Sequence, residues 1–359
     1  MMSIYTLPAT LSTTGSDLPC TFSFSVDVTP TLTAVSTARA AENASITLTG
    51  TGFASGTGPP TVTVCGRSSC RVESYDSTSI TCAMPACDEE SSASPVLVHV
   101  PPKGYASQSG SIVVGGLLSL TAISGLAATN DGAAGSAAGG VQLTIHGGGF
   151  KSDPSFMKVT LRASGGSTDL ANCTVVASAL HSLQCVTGPT ASPLADVGTQ
   201  MTVRVATLAS SGGDEVRSDT LAGAYRLLAA TNSMTLTGLD VATGSTAGGL
   251  LICMSGTNLD GGDDTTPTVR LGGALCGIQN ATNTATQLCC TTPTGTAGPA
   301  TVVVYTPRLG NALITPTMPA FMYLTPPAVH VISPTFGHEG TVLTLAMDSP
   351  DSALATPVV

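Results

Sequence analysis

Tryptophan is absent from the sequence, and aromatic residues together make up only 4% of it. Charge is almost as scarce: Asp, Glu, Lys and Arg supply 9% of residues, against about 25% in an average soluble domain. Only 12 of 359 residues are Lys or Arg, and the net charge is -10. A nucleic-acid binder displaces counterions from phosphates with clustered cations, and the sequence holds no such cluster. The same shortage argues against attraction to anionic lipid headgroups. Without Trp, the Cys-Trp-Cys packing of antibody-type domains is excluded as well. The opening MMSIYTLPATLSTTGSDLPC has neither a basic n-region nor an apolar h-region, so it does not read as a signal peptide. From Gly104 to Asn130 no residue is charged. The apolar part of that stretch, residues 112–128, contains Ser, Thr and the pair Gly115-Gly116. It is expected to form two strands flanking a glycine turn rather than a membrane helix.

What is present points one way. The apolar share is 42%, with Gly 40, Pro 23 and abundant Ser and Thr. That composition suits many short strands joined by turns. Glu, Lys and Arg, which line helix faces, are few. An all-β fold is expected. Eleven cysteines imply an oxidising compartment. Three Asn-x-Ser/Thr triplets, at Asn43, Asn172 and Asn280, are expected glycan acceptors along a secretory route.

Self-similarity gives the organisation. PTLTAVS (30–36), LSLTAIS (118–124), MTLTGLD (234–240) and AVHVIS (328–333) are versions of one phrase. Each is followed by a second: ITLTGTGF (46–53), VQLTIHGGGF (141–150), LICMSGTNL (251–259) and VLTLAM (342–347). Their alternation predicts half-buried strands, and Gly-x-Gly-Phe a tight exit with an aromatic plug. A cysteine phrase recurs too. Cys70 and Cys82, Cys173 and Cys185, and Cys276 and Cys290 are separated by 12, 12 and 14 residues. Each second cysteine is soon followed by proline: Pro85, Pro189 or Pro293. Recurrence marks the cysteines as a structural staple, one disulfide per repeat.

AVHVISPTFGHEGTVLTLAM (328–347) and the cysteine phrases GRSSCRV … ITCAMP (66–72 and 80–85) of the first repeat and GALCGI … LCCTTP (273–278 and 288–293) of the third carry a family resemblance. The chain resembles the IPT/TIG immunoglobulin-like domains of plexins, hepatocyte-growth-factor-type receptors and fibrocystin-like surface proteins. The second repeat departs most, through the insertion LAATNDGAAGSAAGG (126–140). The resemblance implies tandem immunoglobulin-like β-sandwiches arranged as a rod, with incomplete sandwiches at both ends. The expected divisions are 29–115, 116–232 and 233–326. Residues 1–28 would be the last strands of one sandwich and 327–359 the first strands of another. On that fold Cys253 and Cys289 lie on neighbouring strands and are expected to bridge on the solvent face. Cys65 and Cys87 are the leftover pair of the first repeat, and Cys20 has no partner in this scheme.

Chemistry is hard to find. HGGG (146–149) looks like an oxyanion loop, but no G-x-S-x-G elbow accompanies it, and its register matches the strand exits of the other repeats. Cys65, Cys70, Cys82 and Cys87 lack zinc-type C-x-x-C spacing. Asp260, Asp263 and Asp264 are calcium candidates without the EF-hand pattern. The run Asp88–Glu90 reads as a solvated loop tip. His99, His146, His181, His330 and His338 show no ligand spacing. No catalytic residue, cofactor or metal is expected. The missing basic loops exclude the transcription-factor branch of the family. The expected function is a non-enzymatic extracellular structural or adhesive glycoprotein, self-associating head to tail as a fibre or coat subunit. The alternatives are the stalk of a receptor ectodomain, with neighbouring repeats as partners, and a carbohydrate-binding module of an extracellular enzyme. The last would need exposed aromatic platforms that this sequence hardly supplies.

Overall fold

A strand such as SITLTGT (Ser45–Thr51) buries Ile46 and Leu48 and turns its threonines outward, because successive side chains of a strand point to opposite faces. This pattern recurs along the whole chain. The computed structural model describes residues 28–54, 58–66, 68–87, 95–125, 128–129, 132–193, 195–261, 266–279, 283–326 and 329–347, and among these it is almost entirely β. Two compact units are present, divided at Gly115/Gly116 apart from the short segment Ala86–Glu90.

The first unit contains β1 (Thr31–Val35), β2 (Ser45–Thr51), β3 (Thr61–Val64), β4 (Ser68–Tyr75), β5 (Ser79–Ala83) and β6 (Leu97–Val100). β1, β2 and β5 form one side and β3 and β6 the other, with β4 shared between them. The first three residues of β4 pair with β3 and the remainder pairs with β5. The second unit repeats this plan. It has β7 (Ser119–Gly125), β8 (Gln142–Gly148), β9 (Met157–Ala163), β10 (Asp169–Ala179), β11 (Ser182–Thr187), β12 (Gln200–Leu208) and β13 (Glu215–Leu227). Then follow β14 (Thr235–Leu239), β15 (Leu251–Thr257), β16 (Thr268–Leu271), β17 (Gln287–Thr291) and β18 (Val302–Thr306). A last hairpin joins β19 (Val329–Ser333) to β20 (Thr344–Met347).

Every opening strand carries the same irregularity. The register shifts between Leu32 and Ala34, Leu120 and Ala122, Leu236 and Gly238, and Val329 and Val331. Beside that bulge the opposite strand supplies Gly50, Gly147 and Gly256, where an added Cβ would lie 1.9, 2.0 and 1.8 Å from a carbonyl oxygen. Phe53, Phe150 and Leu259 plug the exits and are fully buried.

One expectation needs correction. Gly115-Gly116 is not a turn: both glycines are buried in an extended segment, and Gly115 N–H donates to the Ala38 carbonyl at 3.1 Å. The repeats of residues 116–326 contribute to each other's cores. Leu313, from the later sandwich, belongs to the core of the earlier one, while Ala134 and Leu228 belong to the core of the later one. Main-chain bonds join Asn311 N–H to Gly139 and Ser136 N–H to Leu309, at 2.8 and 2.9 Å. No described helix is long and apolar enough to cross a membrane.

Candidate interaction surface

The cysteines lie where strands change partners. Cys70 is the residue of β4 at which pairing passes from β3 to β5, and its sulfur is 2.10 Å from that of Cys82. Cys173 holds the same place in β10, between β9 and β11, and is bonded to Cys185. Cys276 stands between Ala274–Leu275, which pair with β16, and Gly277–Ile278, which pair with β17; its partner is Cys290. At these cysteines the strand exchanges one pairing partner for another. The disulfide pins that point to the neighbouring strand. Cys65 and Cys87 are disulfide-bonded as well.

Cys253 and Cys289 are directly opposed on β15 and β17, with Cα atoms 4.1 Å apart, and are bonded. Their position differs from the solvent-facing bridge expected. Cys289 is only 2% exposed, because Gln279 N–H donates to its carbonyl and Asn283 Oδ1 accepts from its N–H, both at 3.0 Å.

Asn43 and Asn172 are both exposed. Asn43 has φ 61 and occupies the left-handed slot filled by Gly140 and Gly249 in the later repeats. Asn172 lies on β10, directly beside staple residue Cys173. Asn280, Asp263, Asp264, Cys20, the run Asp88–Glu90 and both terminal segments lie outside the described residues. Asp260 sits in an exposed turn, and no group of three or more His, Cys, Asp or Glu gathers among the described residues. The histidines are scattered: His146 pairs with Ser124 at 3.0 Å, His99 stands edge-on to Tyr105, and His338 bonds the Glu339 carbonyl. His330 lies on β19, and the His181 carbonyl accepts from Gly147 N–H. HGGG ends β8 beneath Ser119.

One feature escaped sequence reasoning, a charged lattice on the outer face of β9, β10, β12 and β13. Arg204 grips Glu215 with both Nη atoms, at 3.0 and 2.5 Å, while Lys158 approaches the same carboxylate at 3.1 Å. The Arg204 hydrogen bonds, aided by Lys158, lower Glu215 to about 2. Burial raises Asp169, but hydrogen bonds from Arg162 and Thr160 outweigh it and leave the carboxyl below its ordinary range. The hairpin β19–β20 lies in the segment expected to hold the opening strands of an incomplete sandwich. In the first repeat Leu32 and Leu48 are 1% and 0% exposed; their counterparts by register, Val329 and Leu345, are each 49% exposed. Among the described residues no strand covers the core face of this hairpin.

Residues 30–114 and 234–319 match the model of the IPT/TIG domain. Those two stretches are similar to IPT/TIG domains and together make up just under half of the chain. Between them, residues 116–232 keep the crossing strand and its disulfide without matching that model. No curated protein matches the sequence. Among solved structures, the chain is similar to the plexin A4 full extracellular region, at 13% identity and a TM-score of 0.28, covering 86% of this chain and 30% of that one. It thus spans less than a third of that plexin's length. It is also similar to the Bacteroides ovatus surface protein SGBP-B, solved with a mixed-linkage heptasaccharide, at 15% identity and a TM-score of 0.22, covering 86% and 70%. A third similarity is to titin A168–A169, at 13% identity and a TM-score of 0.27, covering 55% and 96%.

Proposed function

We propose that this protein is a non-catalytic extracellular structural or adhesive glycoprotein, whose IPT/TIG-type repeats assemble head to tail into a fibre or surface coat. The core face of β19–β20, which no described strand covers, carries this reading. An apolar sheet face left in water favours association, and a missing strand supplied by another chain is an established mode of assembly. The complementing strands would come from residues 1–28 of the next copy. Their sequences SIYTLPAT and CTFSFSV match those around β18 and Phe321–Leu324 of the third repeat. A contact that joins unlike ends and does not close propagates as a filament. The disulfides and the exposed sequons Asn43 and Asn172 support an oxidising, glycosylating compartment.

Electron microscopy and sedimentation of the purified glycosylated chain test the proposal. Fibres with an axial repeat near one chain length are expected, and the double variant Val329→Asp/Leu345→Asp should remain monomeric. A wild-type chain that stays a monodisperse monomer at every concentration would overturn self-assembly and favour a receptor stalk, whose hairpin is completed by further strands of the same polypeptide.

A further inference from the structure

The three repeats treat one strand edge differently. In the first, Ala106 N–H donates to Val98 O at 2.8 Å, after which the chain leaves β6 to pair with β1. The gap left beside Val96 is sealed by an amide: Gln108 Nε2 donates to the Val96 carbonyl. Val96 N–H donates to Ile112 O, and Gln108 Oε1 accepts from Ile112 N–H. In the second repeat β13 stays paired with β12, from Arg226 opposite Gln200 to Glu215 opposite Leu208, with bulges between Met201 and Val203 and between Thr207 and Leu208.

The third repeat follows the first until the seal. Ala312 N–H donates to Val304 O at 2.8 Å, and Leu313–Ile314 leave to pair with β14. By register Ile314 stands where Gln108 stood, opposite Leu236 instead of Leu32. An isoleucine has no amide to offer. Outward-facing peptide groups alternate along a strand, so Val302, two residues from Val304, presents its N–H and C=O to the same side. Among the described residues the strand partner of Val302 is Leu271, on the opposite edge. A hollow of about 500 Å³ opens on one side of this gap, lined by Ala138, Pro193, Val302, Val303, Ala312 and Ile314 among others. Another of about 340 Å³ shares Val302 and Ile314 and adds Met318 and Pro319. Neither lining contains a charged or aromatic side chain. Ile314 is 47% exposed between them.

We propose that this trough is a docking site for an extended, uncharged, aliphatic peptide segment of a partner chain. One peptide group of the segment takes the place of the Gln108 carboxamide and bonds the outward amide of Val302. Aliphatic side chains on either side of it fill the two hollows, combining main-chain bonding with side-chain pockets as in other strand-recognition sites. A charged segment would lose hydration without gaining a partner. A sugar would find no aromatic face to stack on.

The probe is a fluorescent, end-capped peptide of residues 328–333 (AVHVIS), titrated against the full chain and followed by anisotropy. Saturable binding is expected, weakened at least about tenfold by Ile314→Gln, which copies the first repeat's seal. The same loss is expected when the peptide's two valines are replaced by aspartate. Absence of saturable binding by the wild type, or equal binding by a folded Ile314→Gln chain, overturns the proposal. Should that variant misfold, Val303→Asp, at a position 36% exposed on the rim, is held to the same criterion.

Discussion

Gly50, Gly147 and Gly256 each face the first carbonyl of the opposite strand so closely that no side chain fits. Gly147→Ala should force that bulge apart and cost roughly 1–3 kcal/mol in urea unfolding, the range for an overpacked site. Its neighbour Gly148 has nothing nearer than the Ser119 hydroxyl at 3.6 Å, so Gly148→Ala should stay within about 0.5 kcal/mol of wild type. Glu215 makes a different residue-scale prediction. Its folded pKa, about 2, lies below the ordinary 4.5. Its stabilisation is therefore fully present above about pH 5 and is lost as pH falls toward 2. Glu215→Gln should remove about 1–2 kcal/mol at neutral pH, allowing for partial solvent screening, and flatten the acid limb of a melting-temperature profile. The glycines were legible because the phrase that contains them repeats. The charged lattice was not: Lys158, Arg204 and Glu215 are far apart in sequence and meet only through the pairing of β9, β12 and β13.

At the scale of elements, the crossing strand organises each repeat. β4 and β10 begin in one sheet and end in the other, and the staple sits at the change. Cys173→Ser/Cys185→Ser frees a loop with a sequence separation of 12 and should cost roughly 3 kcal/mol in the chain-entropy account. Calorimetry should show the loss mainly in the transition of the second unit. Regular cysteine spacing announced the bridge. It could not announce the crossing, which depends on which strands lie on either side. Nor did it reveal that Cys289 is buried, with its main chain bonded to Gln279 and Asn283. The fully apolar run around Gly115-Gly116 was misread for a related reason: two buried glycines in an extended strand resemble a turn when their neighbours are unknown.

At the scale of the whole molecule, the repeats of residues 116–326 share their cores. Leu313 is 1% exposed in the core of one sandwich while its backbone pairs within the other. Leu313→Ala should therefore cost about 2–5 kcal/mol, the usual range for a buried leucine, and lower hydrogen-exchange protection in both β11 and β17. A loss confined to one of them would contradict the shared core. The central claim is that disulfides at the sheet-crossing strands lock these repeats in an oxidising environment. Non-reducing peptide mapping of native protein tests it most directly. The account predicts the links Cys70–Cys82, Cys173–Cys185 and Cys276–Cys290, with Cys253 joined to Cys289. Free thiols at the six staple positions, or Cys276 joined to Cys289 in place of Cys290, would contradict it.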